Sequence, residues 1–342
     1  MRRLPVYFVI DVSESMVGKK QRHVERGIRG IMQELMGNPY ALETVYISVI
    51  VFAGQAQLFV PLTDVCMFSM PSLPVGSGTA LAEGLKLLMR ELDCSVTKTT
   101  RENKGDWKPI VFLFTDGIPT DNPDATIQKW RNEYANRATL VAVSIGEHAN
   151  TQLLCRLTNN VLRLNKTDDA SFSSFFSWVT ASIEMSSASL ESSGDGEARL
   201  PEASGINLEK VTESSSYKTK EDGLILLGQC AQKKEYYLLR FSDAEGSSGD
   251  FVLEQCYRID KESYLALSGK QDVAQHVSSD RLYGKTGASY ACPCCGNRVC
   301  LVFCGDCGKI SCSDGHKAEC PWCGNAGVLG TGGAIDVARA QG

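Results

Sequence analysis

Five oxygen-bearing side chains in the first half of the sequence have the chemistry of a cation site. They belong to Asp11, Ser13, Ser15, Thr79 and Asp116. The first three alternate along one short stretch that follows the apolar residues 4–10, and this stretch alone offers too few oxygens. Magnesium takes about six oxygen ligands at roughly 2.0–2.1 Å and usually keeps some of them as water. We therefore predict that the five side chains meet at one magnesium site.

The segments around these side chains predict alternating strands and helices. Residues 4–10 and 110–114 are apolar on both faces, as strands in the centre of a sheet are. Further strands are predicted over residues 45–52, 57–62, 139–145 and 161–164. Apolar residues at helical spacing after Lys19 and after Thr79 predict amphipathic helices between the strands. This alternation indicates an α/β fold with a doubly wound, mostly parallel sheet, which presents ligands beyond the carboxyl ends of its strands.

The rest of the chain divides by composition, and we assign residues 1–185 to the α/β domain. Residues 186–216 are rich in Ser, Gly and acidic residues, which predicts a flexible linker. Residues 217–290 contain short strand-like runs, the last near Tyr264 to Leu267, and predict a β-rich module. Residues 291–325 are cysteine-rich, and the small residues of 326–342 predict a flexible tail.

The cysteine-rich segment has the spacing of zinc knuckles. Three Cys-x-x-Cys pairs, each followed by glycine, and one Cys/His pair four residues apart supply eight candidate ligands. They are Cys292, Cys295, Cys304, Cys307, Cys312, His316, Cys320 and Cys323. Eight such ligands fill two closed tetrahedral sites of the structural type, so we predict two Zn²⁺ ions.

Two pairings of these ligands are possible. Adjacent pairing leaves very few residues between His316 and Cys320, whereas interleaved pairing leaves connections of the length found in zinc modules. The spacing therefore favours interleaving. Cys294 and Cys300 are left over, and either of them could replace one of the named ligands.

Charge and hydropathy exclude several classes of partner. The 342 residues carry a net charge of −5 with a pI of about 5.6, and basic and acidic residues balance in the cysteine-rich segment, so we expect no nucleic-acid partner. The first apolar run ends at Asp11, and every apolar run falls short of the ~20 residues of a membrane helix. We expect a soluble, cytoplasmic protein, because a reducing compartment keeps thiolates available to zinc.

The order Asp-x-Ser-x-Ser, Thr and Asp resembles the metal-ion-dependent adhesion site (MIDAS) of von Willebrand factor type A (vWA) domains, which have a Rossmann-like fold. The resemblance implies that Ser13, Ser15 and Thr79 contact Mg²⁺, or Mn²⁺ or Ca²⁺, directly. It implies that Asp11 and Asp116 contact the cation mostly through water, and that an Asp or Glu of a protein partner takes the remaining position. Neutral hydroxyl ligands suit this use, because they leave the cation attractive to a carboxylate.

Other interpretations of the same residues are possible. The hydroxyls could cap helices and Asp116 could lie in a turn. A phosphate-binding loop would need a Lys before Thr79, which is absent. A Mg²⁺-dependent phosphohydrolase with an aspartyl nucleophile is the main alternative, but Ser13 stands where a second carboxylic acid is needed to protonate the leaving group. We therefore predict a binding protein without catalytic activity.

The combination of an adhesion-site domain with a cysteine-rich end is similar to the TerY-like family of bacterial tellurite-resistance proteins, which carry a C-terminal metal-binding domain. This resemblance implies a non-enzymatic scaffold in a tellurite-resistance or stress-response phosphorylation system. It also implies a Ser/Thr protein kinase and a metal-dependent protein phosphatase as partners. Residues 217–290 carry no motif that contributes to the resemblance.

Overall fold

The chain forms two compact units in a computed structural model, one of residues 1–73 and 79–219 and the other of residues 74–78 and 220–342. The structure describes residues 2–102, 104–145, 150–164, 169–192, 208–210, 223–244, 249–269, 276–284, 290–315, 318–327 and 334–338. Within these ranges, no helix combines the length and the apolar composition that crossing a bilayer requires.

A seven-stranded sheet forms the centre of the first unit. Its strands are β1 (Leu4–Asp11), β2 (Val45–Phe52), β3 (Ala56–Asp64), β4 (Ile110–Thr115), β5 (Thr139–Ile145), β6 (Val161–Leu164) and β7 (Leu208–Lys210), in the order β3-β2-β1-β4-β5-β6-β7. Strands β1, β2, β4, β5 and β6 are parallel, and β3 and β7 are antiparallel edges. The strand order reverses between β1 and β4, where doubly wound sheets bind their ligands. The predicted fold class is confirmed.

The helices of the first unit alternate with its strands along the chain. They are α1 (Lys19–Met36), α2 (Pro39–Thr44), α3 (Leu81–Cys94), α4 (Asp124–Lys129), α5 (Thr151–Leu157) and α6 (Asp169–Ser192). Helix α1 buries Val24, Ile28 and Leu35, the apolar stripe that its sequence spacing predicts. Helix α6 packs closely against α1, because a Cβ atom on Gly27 would lie 2.0 Å from the Phe176 ring. Every residue of β1 and β4 is buried, so the core is complete on both sides of the central strands.

A six-stranded sheet forms the centre of the second unit, in the order β12-β10-β9-β8-β14-β13. Its strands are β8 (Leu224–Gln229), β9 (Tyr236–Asp243), β10 (Phe251–Ile259), β12 (Leu282–Gly284), β13 (Val299–Phe303) and β14 (Ile310–Ser313). Helix α7 (Lys261–Leu267) follows β10, and short pairs form between β11 (His276–Ser278) and β17 (Asp336–Ala338) and between β15 (Ala318–Glu319) and β16 (Ala326–Gly327).

The predicted β-rich module at 217–290 and the predicted zinc module at 291–325 contribute strands to one sheet. Strands β13 and β14 complete the sheet that β8, β9 and β10 begin, and Leu226 and Tyr237 share one core with cysteines of the cysteine-rich segment. A cysteine-rich segment of this size buries too little apolar area to form a core of its own. The neighbouring strands supply that core.

Three segments contain local structure that their sequence did not predict. The predicted strand near Tyr264 lies in α7, which begins where the Asp260 carboxylate accepts a hydrogen bond of 2.8 Å from the Ser263 amide. Helix α6 extends to Ser192, and β7 pairs with β6, so the predicted linker 186–216 is ordered at both of these points; residues 193–207 and 211–216 lie outside the described residues. The predicted tail contains the buried Val337, which pairs with Val277.

Candidate metal centres

The five predicted oxygen ligands stand at the carboxyl ends of the two central strands and before helix α3. Asp11 is the last residue of β1, and Ser13 and Ser15 follow it. Asp116 follows the last residue of β4, and Thr79 lies two residues before α3 begins. Because β1 and β4 are neighbouring parallel strands, their ends meet at the same edge of the sheet. This edge is the point at which the strand order reverses.

Hydrogen bonds connect four of the five side chains. The Ser13 amide donates to Asp11 Oδ1 over 3.0 Å, and the Ser13 and Ser15 hydroxyl oxygens are 3.0 Å apart. Ser15 Oγ donates to Asp116 Oδ1 over 2.7 Å, which joins the β1 loop to the β4 loop. Thr115 Oγ1 donates to the other carboxylate oxygen of Asp11 over 2.7 Å. The side chains are therefore already oriented toward one another.

Thr79 presents a buried hydroxyl. Its Oγ1 is buried and is unpartnered within the described part of the chain, whereas its backbone is held by Thr120 through hydrogen bonds of 3.0 Å. Gly117 faces this hydroxyl, and a Cβ atom there would lie 3.2 Å from Thr79 Oγ1. Burying a polar group without a partner costs about 1–3 kcal/mol, and a cation would supply the missing partner. The donor set of hydroxyls and carboxylates fits a hard cation such as Mg²⁺.

Two carboxylates with one lysine beside them set the electrostatics of this site. Asp11 is completely buried, and burial, together with the charge of Asp116, raises its pKa to about 7 against the opposing hydrogen bonds from Thr115 and Ser13. The ammonium of Lys20, in the first turn of α1, forms an ion pair with Asp116. Lys20 was not among the predicted site residues, although its place one turn beyond the Asp-x-Ser-x-Ser loop was visible in the sequence.

Eight cysteine thiols form two groups of four in the second unit. The first thiol cluster consists of Cys230, Cys292, Cys295 and Cys312, and the second consists of Cys304, Cys307, Cys320 and Cys323. Within each cluster all four sulfurs lie within 4.8 Å of one another. A tetrahedron with Zn–S bonds of about 2.3 Å has S···S edges of about 3.8 Å. The Cys295–Cys312 and Cys307–Cys320 sulfurs are both 3.7 Å apart, so the clusters fit zinc.

One backbone turn recurs at the start of each knuckle. The Cys292 amide donates to the Asn297 carbonyl over 2.7 Å, and the Gly296 amide donates to the Cys292 carbonyl over 2.9 Å. The same two bonds form at the knuckles that begin with Cys304 and Cys320. The glycine of each knuckle has a positive φ, 81° at Gly296, which a residue with a side chain rarely adopts. The glycine after each Cys-x-x-Cys pair therefore allows the backbone turn that positions the two thiols.

Cys230 stands in the same turn without a second cysteine. Its amide donates to the Glu235 carbonyl over 2.8 Å, the Lys234 amide donates back to the Cys230 carbonyl over 2.9 Å, and Lys234 takes the positive φ of 57°. The Ala231 amide also points at Cys312 Sγ over 3.3 Å. Cys230 thus lies in the same backbone turn as the first cysteine of each knuckle, and it supplies the fourth thiol of the first cluster.

One thiol in each cluster has a lowered pKa, which favours metal binding because zinc binds the thiolate. Hydrogen bonding, first from Cys312, lowers the pKa of Cys292 to about 5 despite burial. At Cys304, burial raises the pKa, but the amides of Cys307 and Asp306 outweigh it and lower the pKa to about 7. Each cluster therefore contains at least one cysteine that is readily deprotonated near neutral pH.

Comparison with known families assigns both units. The von Willebrand factor type A domain family matches residues 6–177. The chain belongs to this family. The TerY-C metal binding domain matches residues 220–342, so the second unit is a TerY-C domain that follows a vWA domain. Both resemblances stated from the sequence motifs are confirmed. No curated protein sequence matches the chain at a significant level.

Solved structures align with parts of the chain at low identity. Proximal thread matrix protein 1 from the mussel byssus, in a structure with a zinc-occupied MIDAS motif, is 17% identical with a TM-score of 0.39, over 54% of this chain and 46% of that chain. The pilus adhesin SpaC from Lactobacillus rhamnosus GG is 14% identical with a TM-score of 0.44, over 76% and 37% of the two chains. A von Willebrand factor type A protein from Catenulispora acidiphila is 13% identical with a TM-score of 0.41, over 79% and 67%. The chain therefore spans less than half of the byssus protein and of the adhesin.

Among the described residues, the TerY-C thiol clusters contain seven of the eight predicted zinc ligands together with Cys230. The three Cys-x-x-Cys knuckles are grouped in the interleaved way that their spacing favours. The partner of Cys312 in the first cluster is Cys230, which sequence spacing alone did not indicate; His316 lies outside the described residues. Cys294 and Cys300 belong to neither cluster.

Proposed function

We propose that this protein is a metal-dependent binding scaffold, whose vWA domain holds Mg²⁺ and recognises a carboxylate of a protein partner. The unpartnered hydroxyl of Thr79 beside the hydrogen-bonded oxygens of the β1 and β4 loops is the observation that carries the proposal. In this proposal Ser13, Ser15 and Thr79 bind the cation directly, and Asp11 and Asp116 hold it mostly through water. Mn²⁺ or Ca²⁺ could take the same place.

The hydroxyl ligands explain why such a site would bind an acidic partner. Three neutral oxygens leave most of the charge of the cation uncompensated, and carboxylates that act through water reduce it less than direct ligands do. An Asp or Glu from a partner then completes the coordination. The surrounding burial strengthens this attraction, because charges interact more strongly where water is excluded.

The TerY-C domain suggests where this scaffold works. We place it in a bacterial tellurite-resistance or stress-response phosphorylation system in the cytoplasm, with a Ser/Thr protein kinase and a metal-dependent protein phosphatase as partners. The thiol clusters support a structural role for two Zn²⁺, because each cluster has four protein ligands and no open position. The zinc would hold the second unit together while the vWA domain binds.

The test is capture of host proteins on the immobilised full chain, in Mg²⁺ and in EDTA. We expect captured partners that are released by EDTA, are lost with Thr79→Ala, and fail to rebind after their carboxyl groups are converted to amides. Thr63→Ala is the matched control, because the Thr63 hydroxyl donates a hydrogen bond to the Pro61 carbonyl on the edge strand β3. Capture that is equal in EDTA, or Mg²⁺-dependent turnover of a phosphate ester by the pure protein, would contradict the proposal.

A further inference from the structure

Two cysteines outside both thiol clusters lie against each other in the TerY-C domain. The sulfurs of Cys256 and Cys300 are 3.2 Å apart, which is closer than the 3.7 Å between Cys307 and Cys320 within the second cluster. Cys300 is only 1% exposed, whereas Cys256 is partly exposed to solvent. The pair is therefore accessible from one side and buried on the other.

The fold holds this pair in place from distant parts of the sheet. Cys256 lies on β10 and Cys300 lies on β13, and strands β9, β8 and β14 separate them in the sheet order. The sheet must curl for the two sulfurs to meet, and a register irregularity in β10 between Leu253 and Gln255 lies beside Cys256. The Tyr237 hydroxyl donates to the Cys300 carbonyl over 2.6 Å and ties β13 to β9.

We propose that Cys256 and Cys300 are a redox site, which forms a reversible disulfide when a peroxide oxidises it. The thiolate of one cysteine attacks the peroxide oxygen, the O–O bond breaks, and a sulfenic acid and one molecule of water are formed. The second thiol then attacks this sulfur and displaces a second molecule of water. Two thiols lose two electrons and two protons, and hydrogen peroxide is reduced to two molecules of water.

Two further features favour this pair over the other thiols. The hydrogen bond from Cys256 lowers the pKa of Cys300, which increases the fraction of reactive thiolate. The cluster thiols would be bound to zinc in closed tetrahedral sites, so a disulfide between them would require release of the metal. The disulfide would close a loop between residues 44 positions apart and fasten β10 to β13, so the oxidised domain should resist unfolding better than the reduced domain.

The experiment treats the zinc-loaded full chain with hydrogen peroxide, alkylates the remaining thiols in denaturant with a chelator, and maps the tryptic peptides. We expect peptide 241–258, which contains Cys256, to be linked to peptide 299–309, which contains Cys300. Fragmentation must place the bond on Cys300, because Cys304 and Cys307 lie in the same peptide. The zinc content should stay unchanged, and dithiothreitol should remove the link.

The tryptic peptide map of the wild-type protein tests the proposed disulfide even if a variant fails to fold. Cys256→Ser should abolish the link, and Cys94→Ser, which changes an exposed cysteine of the other unit, should keep it. Alkylated Cys256 and Cys300 after peroxide treatment would overturn the proposal. So would a link from Cys256 to Cys304 or Cys307 accompanied by loss of zinc.

Discussion

The oxygen site of the vWA domain and the thiol clusters of the TerY-C domain differ in what surrounds them. The oxygen site lies at the end of β1 and β4, whose residues are all buried and of which only Asp11 is a predicted cation ligand. In the TerY-C domain the first thiol cluster is itself part of the core, because Cys230, Cys292 and Cys312 pack with Leu226 and other apolar residues. The candidate oxygen site therefore lies beside a core that is complete without it, whereas the first thiol cluster is part of its core.

This difference determines whether metal binding and the stability of a domain depend on each other. A site on a finished core can lose its cation or keep a coordination position open for a partner without unfolding the domain. A closed site inside a small core contributes its binding free energy to folding, as structural zinc does. The following predictions test this contrast, beginning with the largest effect.

Loss of a cluster thiol should unfold the TerY-C domain. We expect Cys292→Ser to lose zinc and to destroy the cooperative unfolding of residues 220–342, because structural zinc contributes about 10–16 kcal/mol in small zinc modules, as much as the whole stability of a domain. Elemental analysis and hydrogen exchange of the full chain would measure both effects. Cys66→Ser, at an exposed cysteine of the vWA unit, is the control. Retention of two zinc ions per chain in Cys292→Ser would contradict the prediction that the cluster thiols hold the zinc that stabilises the TerY-C domain.

The stability of the vWA domain in EDTA should depend on pH through Asp11. Its folded pKa of about 7 lies above the ordinary value near 4, so the folded domain binds the extra proton between these pH values. This contribution is fully present below about pH 4 and is lost as the pH rises through about 7, which costs on the order of 2–4 kcal/mol. Thermal unfolding at several pH values would measure it. Asp11→Asn should flatten the profile, and an unchanged profile would show that another group is responsible.

Replacement of Thr79 should weaken cation binding but leave the domain folded. We expect Thr79→Ala to reduce Mg²⁺ affinity roughly 10- to 100-fold, because the lost ligand is worth about 1.5–3 kcal/mol as a hydrogen bond to a charged group is. In EDTA its unfolding temperature should equal or slightly exceed that of the wild type, since a buried unpartnered hydroxyl is removed. Calorimetric titration with Mg²⁺ tests the loss of affinity, and thermal unfolding in EDTA tests the retained stability. Strong destabilisation in EDTA would make Thr79 a structural residue instead.

Lys20 should tune the cation affinity by a smaller amount. Its ammonium pairs with Asp116, and a fixed positive charge so close to the ligands competes with a divalent cation. We expect Lys20→Met to raise Mg²⁺ affinity roughly tenfold, which corresponds to about 1.4 kcal/mol. Repulsion of this size is expected between the lysine ammonium and the cation in a partly solvated site. The same calorimetric titration measures the effect. Lys19→Met, at the neighbouring and more exposed lysine, is the matched control.

Several features of both regions could be predicted from local sequence. Ser13 and Ser15 alternate behind a buried strand, and each Cys-x-x-Cys-Gly sequence forms its turn through bonds between residues no more than five positions apart. The helical stripe of α1 and the continuous apolar strands β1 and β4 follow from periodicity. These features depend on backbone preferences and on burial patterns that neighbouring residues express by themselves.

Other features were decided by pairing between distant segments. Cys230 joins the first thiol cluster because β8 and β14 are neighbours. Lys234 adopts the positive φ that glycine takes in the other knuckles, so the sequence carries no knuckle signal there. The residues near Tyr264 form a helix rather than a strand because Asp260 caps them. The cysteine-rich segment shares its sheet with β8 to β10 because it is too small to bury a core alone. The sequence by itself determined which residue types could bind a metal, since ligand types and short spacings are local. Only the tertiary structure determined which distant residues meet at each candidate site, because that depends on strand order.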